Sequence, residues 1–284
     1  MMYRANLHIA KGLALLKSAG IDSSDSDVKI ISSVALDCSV SELVLSESVV
    51  MSFRQQQVFY ELIKRRCLRE PVSRIIGERE FWGASFIISD ATLDPRPDSE
   101  TLVSAALSCL SSGGVDTPNI LDLGTGSGCL LISLLSELKN ASGVGVDLSF
   151  EAAAVAGINA ERLGVKERSS FVVSNWLTAM GDNTFDIVVS NPPYVCKLEL
   201  PNLEPEVCCF DPLLSLDGGK GGLEAYREIL PQIRRVIKPE GMVVVEIGYN
   251  QEETVSSLFM SAGARDLKVY CDLGGNSRCI SAYM

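Results

Sequence analysis

The sequence predicts an α/β protein: a mostly parallel sheet covered by helices, preceded by a small helical domain. From Asn119 onward, short β-branched runs alternate with helix-like segments. That alternation is the pattern of parallel strands joined by helical crossovers, with function at the strands' carboxyl ends. Before Pro71, apolar residues recur instead at helical spacing.

The helical region shows three such segments, "LHIAKGLALLKSAG", "SDSDVKIISSVALD" and "SFRQQQVFYELIKRRCLR", with Gly20 a stop signal after the first. Residues 1–72 are expected to form this domain. Its third segment is basic, with Arg54, Lys64, Arg65, Arg66 and Arg69 against Glu61 and Glu70. It reads either as a solvated helix face or as a docking surface for an acidic protein or RNA-rich partner. Next, "REFWGASFIISDATLDPRPDSE" alternates around Phe81, Phe86 and Ile88, then locks Arg96 between Pro95 and Pro97. A hairpin linker and rigid turn are expected over 73–98. Helical spacing resumes at Thr101, and a sheet domain over 99–284 carries the runs "NILDLG", "ASGVGVDLS", "RSSFVVSN", "TFDIVVSN" and "PEGMVVVEIG".

Composition narrows the function. A net charge of -11 over 284 residues disfavours a protein that coats nucleic acid through its bulk field. Nine cysteines form no CxxC ligand pairs, and their odd number suits no complete disulfide framework. With no signal-like segment and no bilayer-length apolar run, a reduced, cytoplasmic chain is expected. The sole histidine, His8, lies in the helical region and reads as packing or surface, so no metal site is expected. Adjacent Cys208 and Cys209 lack metal spacing, and "LDGGKGGLEAY" lacks the P-loop order and reads as a flexible loop.

In "ILDLGTGSGCLLISLL" a strand passes through Gly124, Thr125, Gly126 and Gly128 into a helix. Such a turn lets backbone N–H groups approach an anionic group closely. The spacing is GxGxG, with Cys129 where the dinucleotide fingerprint needs its third glycine, so a smaller nucleoside carrying an amino-acid carboxylate fits better. Asp147 ends the next strand and suits a ribose diol. Asn175 ends the third; it serves either an adenine edge or a simple cap beside Trp176.

The stretch "VVSNPPYVC" asks for a nitrogen nucleophile. A lone pair delocalised into a carbonyl or an aromatic ring attacks a methyl group poorly, and accepting both of its N–H hydrogens restores electron density to nitrogen. Asn191 offers a side-chain oxygen and Pro192 a backbone carbonyl. Pro193 stiffens the turn, and Tyr194 offers a ring to cover a planar group.

These residues, "ILDLGTGSG", "GVDLS" and "VSNPPYV", resemble S-adenosylmethionine-dependent methyltransferases acting on planar –NH₂ groups. Among these, "PVSRIIGEREFWGASFIISDATLDPRPDSETLV", "EVCCFDPLLSLDGGKGGLEAYREIL" and "DLGGNSRCISAYM" resemble the peptide chain release factor glutamine methyltransferases. The resemblance implies a seven-stranded Rossmann-like class I methyltransferase sheet, S-adenosyl-L-methionine as cofactor and S-adenosyl-L-homocysteine as product. It also implies N5-methylation of the glutamine in the Gly-Gly-Gln loop of release factors, with the helical domain embracing that partner. By position, Gly124, Thr125, Gly126 and Gly128 hold the methionine portion, Asp147 the ribose, and Asn175 with Trp176 the adenine neighbourhood. Asn191, Pro192, Pro193 and Tyr194 meet the substrate amide, Asn191 also lying beside the cofactor, and Phe86 and Arg96 help enclose the ligands. A monomer with no membrane association and no stable DNA complex is expected.

Asp94, Asn175 and Gly221 depart from the family pattern, which carries an apolar residue, an acid and an aspartate there. The competing readings are glutamine methylation of a ribosomal protein, adenine-N6 methylation of nucleic acid, and a non-catalytic binding module.

Overall fold

The computed structural model describes residues 3–45 and 49–284, and the chain separates into two compact units. The chain up to Gly77 joins Glu204–Phe210 in one unit, and Glu78–Leu203 with Asp211–Met284 form the other. Of the helical domain expected over 1–72, residues 1–2 and 46–48 lie outside the described residues.

The first unit holds helices α1 (Ala5–Ser18), α2 (Ser24–Leu36), α3 (Val40–Leu45), α4 (Phe53–Cys67) and α5 (Val72–Ile76), with an antiparallel pair, β1 (Tyr3–Arg4) and β2 (Val50–Met51). The helical spacing in the sequence marks α1, α2 and α4. Local chemistry sets their ends: Gly20 takes φ +71° after α1, and Asp37 takes φ 55° after α2. Helix α4 opens on a capping box, in which the Gln55 N–H donates to Ser52 Oγ at 3.3 Å and the Ser52 N–H to Gln55 Oε1 at 2.9 Å. Leu16, Ile31, Phe59 and Ile63 fill the core between these helices. His8 lies edge-on to Tyr60, with Nδ1 2.9 Å from the phenol oxygen, a packing role.

The basic segment is not the free row of charges its sequence suggests. Arg66 is buried, donating to Asp27 Oδ2 at 2.7 Å and to Glu206 Oε1 at 3.0 Å. Arg69 donates to Glu206 Oε2 at 3.0 Å, and Arg65 pairs with Glu70. The docking reading therefore loses Arg66, whose charge is spent inside the unit, and is weakened at Arg65 and Arg69.

The second unit opens on the hairpin β3 (Glu78–Phe81) and β4 (Ala84–Ile87). Its turn residues Trp82 and Gly83 take φ 50° and 69°, the backbone of a tight hairpin turn. Then come α6 (Glu100–Gly113), β5 (Asn119–Leu123), α7 (Cys129–Glu137), β6 (Ser142–Asp147), α8 (Phe150–Arg162), β7 (Ser169–Val173) and β8 (Phe185–Ser190). The short α9 (Pro205–Cys208) belongs to the first unit, and α10 (Leu213–Leu216), α11 (Glu224–Val236), β9 (Ile237–Glu246), α12 (Glu252–Ser261), β10 (Arg265–Cys271) and β11 (Ser277–Tyr283) complete the second.

Seven strands form one sheet in the order β10-β11-β9-β8-β5-β6-β7. Strands β9, β8, β5, β6 and β7 run parallel, and β11 inserts antiparallel between β9 and β10. These last two strands are absent from the five runs read in the sequence. Polar residues interrupt β10, which lies at the sheet's edge, so it lacks the apolar run that marks a buried strand. Alternation assigns side chains to faces: Leu121, Val188, Val243 and Val245 enter one core with Tyr226 and Ile233, whereas Ile120, Val189 and Val244 enter the other with Leu131 and Val103. Each such fully buried side chain contributes about 1.5–3 kcal/mol. The chain leaves β5 toward β6 and β7, then returns to β8 on the other flank. The strand order therefore reverses at β5, and a crevice opens at the carboxyl ends of β5 and β8. Among the described residues, no helix is long and apolar enough to cross a membrane.

Candidate active site

A cavity of about 460 Å³ lies at this crevice, lined by the glycine turn, the end of β6, Asn175, Trp176 and Asn191. Gly124, Gly126 and Gly128 take φ 71°, 56° and 80°, so the turn needs residues without a Cβ. At Gly128 the need is also steric, because a Cβ there would stand 2.8 Å from Ile132 and 3.0 Å from Ala156. Asp147 organises the turn from the neighbouring strand: Oδ2 accepts from the Gly126 N–H and Oδ1 from the Ser149 N–H, both at 2.9 Å. The Thr125 hydroxyl donates to Asp122 Oδ2 at 2.7 Å, while Asp122 Oδ1 is buried without a partner. Burial pushes the Asp122 carboxyl up to about 7, opposed by the Thr125 bond and reinforced by the Asp147 charge. A buried group poised between charge states thus sits directly under the turn.

Asn175 lines the same cavity, its Nδ2 donating to Glu228 Oε1 at 3.3 Å. Trp176 takes φ 43° and carries its ring to the rim of Gly124, 3.7 Å from where a Cβ would be. The second turn follows β8. Asn191 lines the cavity, and its Nδ2 donates to Ser99 Oγ at 3.1 Å, which turns Oδ1 away from Ser99. Pro192 is buried, Pro193 lines the cavity, and Tyr194 is half-buried with its hydroxyl donating to Glu246 Oε1 at 3.0 Å. Burial raises the Tyr194 phenol far above its ordinary value, and the adjacent Glu246 charge raises it further. Arg96 and Pro95 line the rim, where Arg96 is tied to Asp211, whose other oxygen accepts from the Asp94 N–H at 3.2 Å.

Of the residues expected to enclose ligands, Phe86 does not. It is fully buried in the core, edge-on to Phe81, because β4 turns this side chain inward beneath the sheet. The glycine-rich stretch after α10 is likewise not a loose loop. A Cβ at Gly218 would stand 2.8 Å from the Pro193 oxygen, and one at Gly222 2.2 Å from the Tyr194 oxygen. Gly218 N–H donates to the Val195 oxygen at 2.9 Å, and Gln251 Nε2 spans the Tyr194 and Gly222 oxygens at 3.0 and 3.2 Å. These contacts clamp the Asn-Pro-Pro-Tyr turn from behind. Gly221 takes φ +77° in open space, a backbone that suits glycine and also admits the aspartate of the family pattern.

Five contributors escaped sequence reasoning: Ser99, Asp122, Asn159, Glu246 and Gln251. Asn159 Nδ2 donates to the Ile87 and Ser127 oxygens, both at 2.9 Å, tying the hairpin to the glycine turn. Asp122 and Glu246 did leave a signal. Each is a lone acid among apolar residues near the carboxyl end of a central strand, as in "ILDLG" and "VVVEIG". All nine cysteines are free thiols, and no metal-holding cluster occurs among the described residues.

Two family descriptions match the chain: a methyltransferase domain over residues 115–269 and the PrmC N-terminal domain over residues 9–77. The release factor glutamine methyltransferase of Caulobacter vibrioides is 40% identical over 265 residues, covering 93% of this chain and 91% of the relative. That of Rhodospirillum rubrum is 40% identical over 272 residues, covering 96% of this chain and 82% of the relative. In fold, the chain is similar to the hMettl16 catalytic domain solved with the MAT2A 3′UTR hairpin 6, at TM-score 0.58 and 15% identity, covering 78% of this chain and 81% of that one. With a glycine turn and an Asn-Pro-Pro-Tyr turn facing one cavity, and relatives matched along nearly its whole length, the chain belongs to the release factor glutamine methyltransferase family.

Proposed function

We propose that this protein transfers the methyl group of S-adenosyl-L-methionine to the side-chain amide nitrogen, N5, of the glutamine in the Gly-Gly-Gln loop of a peptide chain release factor. The observation that carries this reading is the juxtaposition of Asn191 and the glycine turn around one cavity. The residues fit the cofactor. The glycine turn leaves a cradle that side chains would fill, Asp122 Oδ1 is orphaned beneath it, and Asp147 borders the same space. Gly124, Thr125, Gly126 and Gly128 are assigned to the methionine portion, Asp147 to the ribose, and Asn175 with Trp176 to the adenine. When bound, the cofactor supplies an electrophilic methyl carbon on a sulfonium.

The chain's own residues prepare the nucleophile. Asn191 Oδ1 and the Pro192 carbonyl accept the two amide hydrogens, which localises the nitrogen lone pair and stabilises the positive charge that develops on it. The prolyl turn and its glycine clamp fix those acceptors, and a misplacement of about 1 Å costs on the order of 100-fold. Tyr194, anchored on Glu246, flanks the amide, and Arg96 borders the entrance. Residues 1–72 are assigned to recognition of the release factor, 73–98 to the linking hairpin and turn, and 99–284 to the methyltransferase domain. The protein is assigned to the cytoplasm as a monomer.

Incubation with labelled cofactor and, separately, a release factor, total ribosomal protein and DNA tests this reading. Peptide mapping is expected to find label on the Gly-Gly-Gln glutamine alone; label confined to ribosomal protein or to adenine would reject it.

A further inference from the structure

Glu246 ends β9 in the middle of the sheet and is 1% exposed. A buried carboxyl at that depth is costly unless partners satisfy both oxygens. Oε1 accepts from the Tyr194 hydroxyl at 3.0 Å, which leaves Oε2 as a buried acceptor open to a further donor. Arg278, the nearby cation, pairs with Asp98 at 3.0 Å and with Asp272 at 2.9 Å instead. Burial raises the Glu246 carboxyl above its ordinary value, and the Ser99 hydroxyl beside it is the donor that opposes that rise on behalf of the charged form.

Ser99 has its own constraint. Its Oγ accepts from Asn191 Nδ2 at 3.1 Å, so its single proton must point elsewhere. A serine hydroxyl can also donate; if Ser99 gave its proton to Asn191, the carboxamide would flip and offer the substrate an NH₂ in place of an oxygen. What stands behind Ser99 therefore decides which end of Asn191 the cavity sees.

We infer that Glu246 is a positioning residue for methyl transfer: by taking the hydroxyl protons of Ser99 and Tyr194, its carboxylate makes Ser99 an obligate acceptor and holds Asn191 Oδ1 toward the substrate amide. One buried group thereby orients both polar side chains of the Asn-Pro-Pro-Tyr turn. The inference rests on the proposed role of Asn191 as acceptor, and it adds a cause for that residue's orientation.

Glu246→Gln is nearly isosteric and tests the polarity alone. Glutamine accepts from Tyr194 with its oxygen but presents an NH₂ to Ser99, which frees the Ser99 proton for Asn191 and reverses the relay. Two readouts separate this from simple support of the fold. The first needs no turnover: the side-chain amide NMR signal of Asn191, assigned by its loss in Asn191→Ala, is expected to shift in Glu246→Gln and in Ser99→Ala but to stay in place in Ser99→Thr, which keeps the hydroxyl. The second is kinetic. Glu246→Gln is expected to lower kcat about 10- to 100-fold with cofactor affinity within about threefold of the parent, and to add no further loss in the Ser99→Ala background.

An unmoved Asn191 signal, or losses that multiply in the double variant, would overturn the relay. Should Glu246→Gln fail to fold, the Ser99→Ala and Ser99→Thr pair decides, since equal Asn191 signals in both also overturn it. If the parent enzyme fails to methylate a release factor, the proposed substrate is wrong, and the NMR arm still decides the relay.

Discussion

The proposed chemistry places the largest demand on a single side chain, Asn191, which lines the cavity. Its Nδ2 is committed to Ser99, so truncation to alanine removes the acceptor without touching the glycine turn or Asp147. We expect Asn191→Ala to lower single-turnover transfer to a Gly-Gly-Gln fragment about 100- to 1000-fold, by analogy with loss of one preorganised oxyanion-hole contact. Cofactor titration on the same variant should give nearly the parent affinity. Near-normal turnover would remove Asn191 from its assigned role. Pro192 is proposed as an acceptor for a related reason: a backbone carbonyl needs only the right turn, and two prolines announce that turn. Phe86 was expected beside the ligands only from its position in the family pattern, and β4 instead buries it fully against Phe81.

At the scale of elements, the turn after β8 depends on the stretch from Gly218 to Gly222. Gly221 and Gly222 share a left-handed backbone, yet their surroundings differ. Gly221 faces open space, while a Cβ on Gly222 would strike the Tyr194 oxygen at 2.2 Å. Gly221→Asp, which introduces the residue usual in the family, is expected to cost less than about 1 kcal/mol, since aspartate tolerates φ > 0. Gly222→Ala is expected to cost about 1–3 kcal/mol and to depress kcat by displacing the turn. Thermal unfolding and turnover of the two variants side by side check this; equal effects would mean that the clamp does not bear on the turn. Sequence shows four glycines in this stretch but not what lies behind them, which is why it read as loose.

Across the whole molecule, buried acids shape the dependence of stability on pH. The Asp122 carboxyl is raised from 3.8 to about 7, and burial also raises Glu246. For both, the native state binds more protons than the unfolded chain between the two pKa values, so stability falls as pH rises through that window. For Asp122 the penalty is absent below about pH 4 and complete above about pH 7, of order a few kcal/mol. Lowered carboxyls such as Glu78, held down chiefly by its bond to Arg162, act in the opposite sense below about pH 4.5. Denaturant titrations from pH 4.5 to 8 should show Asp122→Asn flattening the downward slope of the parent; parallel slopes would contradict the assignment.

Sequence alone determined what is local in the chain. The glycine turn, Asp147 and the Asn-Pro-Pro-Tyr turn each lie within a few residues of a strand end, so strand order was enough to bring them to one cavity. Tertiary structure decided everything that needs partners from afar. Ser99 reaches Asn191 across 92 positions, Glu246 reaches Tyr194 across 52, and Glu206 reaches Arg66 across 140. The antiparallel entry of β11 between β9 and β10 is of the same kind. A hydrogen bond between distant side chains has no footprint in local periodicity, because the residues meet only after the sheet has ordered its strands.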